Sequence, residues 1–231
     1  MPFYYYFDPT MLIVLPALLL AFYAQIKVNS TYAAGNRVQT PHGMTGYEAA
    51  RRILDQNGLR HIRIEMIGGE LSDHYDPRDN VIRLSSKVYN SNTASAVGVA
   101  AHEAGHAVQY AQGYAPIKLR AAIIPICNIG SNLAFPLFLL GLFFVIEPLM
   151  WLGIIAYSLT ALFQLITLPV EFNASSRAMT ILSDSGQFSD DQLRASRKVL
   201  SAAALTYVAA LASALLSLLR LIIIAGGRRR N

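Results

Sequence analysis

The chain has a single cysteine, Cys127, inside an apolar run. That excludes an intrachain disulfide and any Cys-x-x-Cys metal or redox site. Charge is scarce as well: 14% of the 231 residues are Asp, Glu, Lys or Arg, where an ordinary soluble domain has about 25%. Acidic residues are the scarcer sign, 14 against 19 basic, for a formal charge of +5. Nucleic acid is the reflex partner of a basic chain, but no stretch here interleaves basic and aromatic side chains into a patch, so nucleic acid is not expected. Lys27, Lys118, Arg120, Arg220 and the arginines at 228–230 stand near the ends of apolar segments, where positive side chains meet lipid headgroups and set orientation. Internal repeats and low-complexity tracts are also missing.

What is there in quantity is hydrophobic sequence, 54% of the chain, which points to a bilayer as solvent for part of it. Four runs stand out, at 11–28, 121–146, 149–168 and 202–226. About 20 apolar residues cross a bilayer, so the first run is just long enough. Only Asp8 carries charge before it and no small-x-small cleavage site follows, so a retained anchor is expected rather than a signal peptide. Glu147 and Pro148 alone separate the second and third runs, which read as a tight helical hairpin. The fourth run is rich in small residues that suit close helix packing, and Arg220 near its end can snorkel to the interface.

The polar stretch 29–119 is long enough for a small folded unit. In TGYEAARRILDQNG, Thr45 is a candidate N-cap, Glu48 completes a capping box and Gly58 is a stop. HIRIEMI and VIRLS alternate as strands do, and GGELSDHYDPRDN is expected to join them as a hairpin loop. SNTASAVGVAAHEAGHAVQYAQG reads as a helix capped by Ser91 or Asn92 and stopped at Gly113. PVEFNASSRAMTILSDSG is another helix, with Pro169 near its start and Gly186 past its end. The expected organisation is an anchor (1–28), a unit with the hairpin and the HExxH helix (29–119), a membrane hairpin (120–168), a further helix (169–200) and a last apolar helix with a basic tail (201–231).

The chemistry lies in HEAGH. On a helix His102 and His106 share one face a turn apart, so both imidazoles can reach one ion at the roughly 2.0–2.1 Å that zinc requires. Glu103 beside the first ring can take a proton from a water polarised by the ion as that water attacks a carbonyl, then pass it to the leaving amine. Two ionisable rings and a carboxylate on an Ala- and Val-rich helix would be costly to bury without such a partner. Ala104, Gly105 and Ala107 are small, so another element can pack close.

A catalytic zinc needs a third protein ligand. Glu171 in PVEFNASSRA is the best candidate, because a helix there puts Glu171, Ala174, Ser175 and Ala178 on one stripe. A carboxylate near a helix start also has a purely electrostatic account in the helix dipole. His74, Asp73 and Asp76 in SDHYDPRD are rivals, although Asp-Pro-Arg-Asp-Asn more often marks a solvated Asx-turn. An oxyanion would need a further donor; His74, Tyr75, Arg177 and Tyr207 are candidates, with His74 and Arg177 preferred. Val81–Ser85 is a candidate exposed edge for a peptide substrate to pair with.

Taken together, HEAGHAVQ, DHYDPR, VIRLS…VY and PVEFNASSRA resemble the YugP-type family of membrane-bound neutral zinc metallopeptidases, from about Tyr4 to the arginine tail. The resemblance implies Zn2+ as cofactor, His102, His106 and Glu171 as its ligands, and Glu103 as general base. It also implies kinship with the HtpX-type and CAAX prenyl protease gluzincins, whose later helix carries Glu-x-x-Ala-Asp. Glu171 and Ala174 match that pattern, but Ser175 stands where the Asp would orient an imidazole. Ser175, Asn173, a backbone carbonyl or another residue must take over.

The expected fold is a mainly α membrane protein: about four transmembrane helices plus a small α+β zincin-like catalytic unit of helix, β-hairpin, HExxH helix and Glu-bearing helix. The expected activity is that of an integral membrane zinc metalloendopeptidase acting on membrane proteins or peptides at the bilayer surface. A non-catalytic zinc-containing membrane scaffold or chaperone is the rival, weakened because closed structural zinc sites usually use cysteines. A transporter fares worse, since all five histidines lie outside the four runs. Lys27, Arg37, Lys118, Arg120 and Arg177 favour the cytoplasmic face of the plasma membrane for the polar regions, and the arginines at 228–230 argue the other way unless the last run re-enters.

Overall fold

The computed structural model describes residues 8–69 and 72–227. The arginines at 228–230, and residues 70 and 71 of the loop at 68–80, lie outside the described residues. The order of elements is α1 (Met11–Gly35), α2 (Gly46–Gln56), β1 (Arg63–Ile67), β2 (His74–Asp76), β3 (Val81–Ser85), α3 (Ser86–Asn90), α4 (Ala94–Ala111), α5 (Ala115–Phe143), α6 (Glu147–Asp184) and α7 (Asp190–Gly227). Helices α1, α5, α6 and α7 are each long and apolar enough to cross a membrane. The chain is thus a mainly α membrane protein with a small α+β part.

Two compact units divide it. One comprises Met1–Ala24, Leu119–Leu168 and Thr206–Asn231, the other Gln25–Lys118 and Pro169–Leu205; they are called here the apolar and the polar unit. In the apolar unit α5 and α6 approach closely through glycine: a Cβ on Gly153 would lie 2.6 Å from the Phe138 nitrogen. Arg220 does more than snorkel, for its guanidinium meets the Asp8 carboxylate at 2.7 Å.

The polar unit is built around a core of Ile53, Leu54, Ile82, Leu84, Val88 and Val97. Helix α2 starts as its sequence dictates. The Thr45 hydroxyl accepts from the Glu48 N–H while the Thr45 N–H donates to the Glu48 carboxylate, and Gly58 past its end takes a φ of +73°. The side chain that caps α4 is Thr93, not Ser91 or Asn92. Residues 86–90 form the separate short helix α3, so the chain reaches α4 later than its apolar pattern indicates.

The sheet corrects two expectations. Its order is β1-β3-β2, with β1 parallel to β3 and β2 antiparallel to it. The hairpin is therefore formed by β2 and β3, and HIRIEMI lies beside VIRLS in parallel register, Arg63 opposite Val81. Physically, the connection at 68–80 is too long for a tight hairpin, whose loops run to about five residues, and it holds a strand of its own. The true turn, at 77–80, has the Arg78 N–H bonded to Asp76 Oδ1 at 2.9 Å and Asn80 at a φ of +50°, a conformation Asn tolerates. The second correction follows: Val81–Ser85 is the central strand, paired on both sides, and is not an exposed edge. Its near-continuous burial is the signature of that position.

PVEFNASSRAMTILSDSG is likewise not a separate helix. It continues the third apolar run without a break, with Pro169 inside α6. The fourth run is similarly extended backwards to Asp190.

Candidate metal centre

Three elements of the polar unit build the site: α4, the later part of α6, and the outer edge of β2. Helix α4 brings His102, Glu103 and His106, and α6 brings Glu171. The two helices meet at Gly105, where an added Cβ would stand 2.7 Å from the Ala174 carbonyl oxygen. Any side chain at 105 would force them apart, so the small residues of HEAGH are what allow the carboxylate to reach the rings.

The reach is close. Glu171 Oε2 lies 3.2 Å from His102 Nε2 and 3.5 Å from His106 Nε2, and the three ligand-type atoms all fall within 4.8 Å of one another. Ligands held about 2.0–2.1 Å from a tetrahedral ion stand roughly 3.3–3.4 Å apart by trigonometry, so the two N···O separations match the edges of such a tetrahedron. His106 and Glu171 are buried, at 7% and 3% exposure. A histidine–histidine–carboxylate set in that geometry fits zinc.

The far nitrogens of both rings are engaged, which fixes where the near ones point. His106 Nδ1 lies 3.0 Å from Gln109 Oε1. The Gln109 amide nitrogen donates to the Val170 carbonyl at 2.8 Å and to Asn173 Oδ1 at 2.9 Å, so its oxygen is the acceptor toward His106. The ring must then donate from Nδ1, which leaves Nε2 as the nitrogen turned toward Glu171. Arg177 continues the chain, donating from Nε to Asn173 Oδ1 at 2.6 Å, bonding Gln112, and lying 5.8 Å from the Tyr114 ring centre. For His102, Ser175 Oγ lies 3.1 Å from Nδ1. Ser175 thus stands both where the Asp of the related pattern would be and in contact with the imidazole such an Asp would orient.

Glu103 is buried beside the rings, and its Oε2 accepts the Tyr75 backbone N–H at 3.0 Å. Burial pushes this carboxyl up to about 7, with His102 pulling the other way. Since the Tyr75 N–H points at α4 rather than at β3, the free edge of β2 runs past Glu103.

The structure therefore brings together His102, Glu103, His106 and Glu171. The rival ligands are used elsewhere: Asp73 accepts from the Ser85 N–H at 2.7 Å, and Asp76 pairs with Arg83 at 2.9 Å. His74 is exposed on β2, its Nδ1 2.8 Å from the Ser72 carbonyl oxygen, and does not belong to the metal-holding group. Arg177 stands three hydrogen bonds away from His106, through Asn173 and Gln109. Tyr207 belongs to the apolar unit. Sequence reasoning missed Gln109, although its place three residues after His106, on the same helix face, was a usable signal. It also missed the Tyr75 backbone, which no side-chain pattern reveals.

A site of this kind, in a chain with four apolar helices, defines a class, and the family comparison agrees with it. The model of the family described as "Putative neutral zinc metallopeptidase" matches residues 10–226, and the chain belongs to that family. Among curated proteins it is 47% identical, over 220 residues covering 95% of this chain and 98% of the relative, to "Putative membrane protease YugP" of Bacillus subtilis (strain 168). No solved structure gives a significant match. With its four apolar helices, the chain is a multi-pass membrane protein.

Proposed function

We propose that the protein is a membrane zinc metalloendopeptidase that hydrolyses peptide bonds of membrane-associated proteins or peptides, with His102, His106 and Glu171 as metal ligands. The observation that carries this reading is the convergence of two ring Nε2 atoms and one carboxylate oxygen, with a second buried carboxylate alongside. Bound there, zinc supplies the Lewis acidity that lets water ionise near neutral pH.

The remaining steps belong to the chain. Glu103 takes the proton of the attacking water and returns it to the leaving amine. The Tyr75 N–H keeps that carboxylate in place. The free edge of β2, rather than Val81–Ser85, offers the backbone groups against which an extended substrate lies. His74, exposed on β2, is the proposed donor to the developing oxyanion. Arg177 is proposed to act on His106 through Asn173 and Gln109. The ends of the apolar runs at Lys27, Lys118 and Arg120 favour the cytoplasmic side for the polar unit.

The test is Glu103→Gln in purified full-length protein in detergent, with metal content and casein cleavage measured together. Metal retained with cleavage lost supports the enzyme. Cleavage retained in Glu103→Gln, or a wild type that holds zinc and cleaves nothing, would favour the scaffold. Loss of metal from both His102→Ala and Glu171→Ala supports the ligand set.

A further inference from the structure

One cavity of the polar unit lies apart from His102, His106 and Glu171. Lys27 from α1 and Arg194, Arg197 and Lys198 from α7 line a space of about 330 Å3 together with Ala202 and Leu205. All four cations are exposed, and the residues lining the space include no carboxylate. Acids engage this group at Arg194, which pairs with Asp191 at 2.5 Å on the same helix and has Asp190 nearby. Lys27, Arg197 and Lys198 have no such ion pair among the described residues.

Chain position identifies the occupant. Lys27 comes directly after the apolar residues 11–26, and Lys198 comes one turn before the apolar run that begins at Ala202. Both helices thus change from apolar to more polar sequence at this cavity, α1 at Lys27 and α7 at Lys198. The space is walled almost entirely by apolar atoms, the aliphatic stems of the four basic residues together with Ala202 and Leu205, so a ligand here meets apolar surface as well as four positive charges close by. An anionic phospholipid offers both complements: a phosphodiester for the cations and the start of an acyl chain for the apolar wall. A free phosphate ion matches only the first.

We propose that Lys27, Arg194, Arg197 and Lys198 form a binding site for the phosphodiester of an anionic phospholipid drawn from the surrounding bilayer. The site would anchor α1 to α7 at the membrane surface. It is independent of zinc and of the peptidase reading.

The experiment uses full-length protein in nanodiscs of mixed phosphatidylglycerol and phosphatidylcholine, transferred to mild detergent, with retained lipid quantified per chain by mass spectrometry. Wild type is expected to retain phosphatidylglycerol in preference to phosphatidylcholine. Arg197→Ala/Lys198→Ala should hold it about 30-fold more weakly, from about 1 kcal/mol for each basic residue lost. Arg60→Ala/Arg78→Ala, which removes the same charge from elsewhere, should retain it as wild type does. Arg197→Lys/Lys198→Arg keeps both charges and should retain it too; this variant and Lys27→Ala alone, expected to be several-fold weaker, read the site even if the double alanine chain is unstable. Equal retention of the two lipids by wild type, unchanged retention in both alanine variants, or full displacement by millimolar inorganic phosphate would each overturn the proposal.

Discussion

The two units place the same residue types on opposite sides. In the polar unit the large aliphatics Ile53, Leu54, Ile82 and Leu84 are almost wholly buried, and the exposed large apolar side chains among its described residues are Ile26, Met66 and Phe172. In the apolar unit Leu19, Phe22, Ile129, Phe143 and Leu165 are exposed, Phe143 by 80%, while much of what is buried is alanine: Ala17, Ala24, Ala134, Ala161 and Ala209. One unit is organised by water, which drives large apolar groups inward. The other is organised by lipid, where that drive vanishes and helices associate through close backbone approach, as at Gly153. His102, His106 and Glu171 belong to the first kind, and their arrangement has the same origin: a packed interior in which the far nitrogen of each ring is engaged by a neighbouring side chain.

The sharpest way to break this contrast is to remove a carboxylate from each unit. Glu103→Gln should lower peptide cleavage by about 10²–10⁴-fold, the usual worth of a positioned general base. Glu147→Gln in the apolar unit, where the carboxylate accepts from Trp151 Nε1 at 3.3 Å, should leave cleavage within about twofold of wild type. Assays of casein hydrolysis on matched, metal-loaded preparations would decide it. A comparable loss from Glu147→Gln would mean that the chemistry is not confined to the polar unit.

Truncating a leucine in each unit comes next in size. Leu54→Ala should destabilise the polar unit by about 2–5 kcal/mol, the transfer loss plus a cavity. Leu19→Ala, facing lipid, creates no cavity and should change thermal stability by no more than about 0.5 kcal/mol. Unfolding followed by intrinsic fluorescence in detergent would measure both. Equal costs would mean that Leu19 is covered by something other than lipid.

That division also explains what could be read in the sequence and what could not. The four apolar runs, HEAGH and the capping box at Thr45 and Glu48 are local patterns, and the helices they specify are present. The order of the sheet is not local. HIRIEMI and VIRLS look alike as strands, and nothing in either says whether they run parallel. That depended on a three-residue strand hidden in a polar loop and recognisable only by its pairing. The convergence of His102, His106 and Glu171 was legible for a reason of chemistry: few carboxylates exist, and only Glu171 shared a stripe with small residues. The supports were not, because Gln109 is an ordinary polar residue until Val170, Asn173 and Arg177 are seen around it.

Those supports give the next prediction. Gln109→Ala removes the acceptor that holds the His106 proton on Nδ1, and Ser175→Ala removes the partner of His102. Each should weaken metal retention by about 10–100-fold, read by competition with a chelating dye. Gln109 should matter more, because it is fully buried and its loss also removes the side-chain donor to the Val170 carbonyl and one of the two donors to Asn173 Oδ1. Arg177→Ala should give a smaller change in the same direction. Loss of activity at unchanged metal affinity would instead assign Arg177 to the substrate.

The smallest effect separates the units by their helices. Helix α2 has 11 residues, a length at which an isolated helix is marginal in water, so it leans on its ends. Thr45→Ala removes the hydroxyl that accepts the Glu48 N–H and should cost about 1 kcal/mol, seen as a fall of a few degrees in the melting temperature. Ser131 lies within the 29-residue helix α5, and its hydroxyl only returns to the Asn128 carbonyl at 3.1 Å. Ser131→Ala should fall within about 0.5 kcal/mol of wild type, because in lipid the backbone bonds of a long helix are satisfied along its length and one hydroxyl turned back on its own helix adds little. If the two substitutions cost the same, the apolar helices also rest on local side-chain bonds, and the division between a water-organised and a lipid-organised unit would have to be drawn elsewhere.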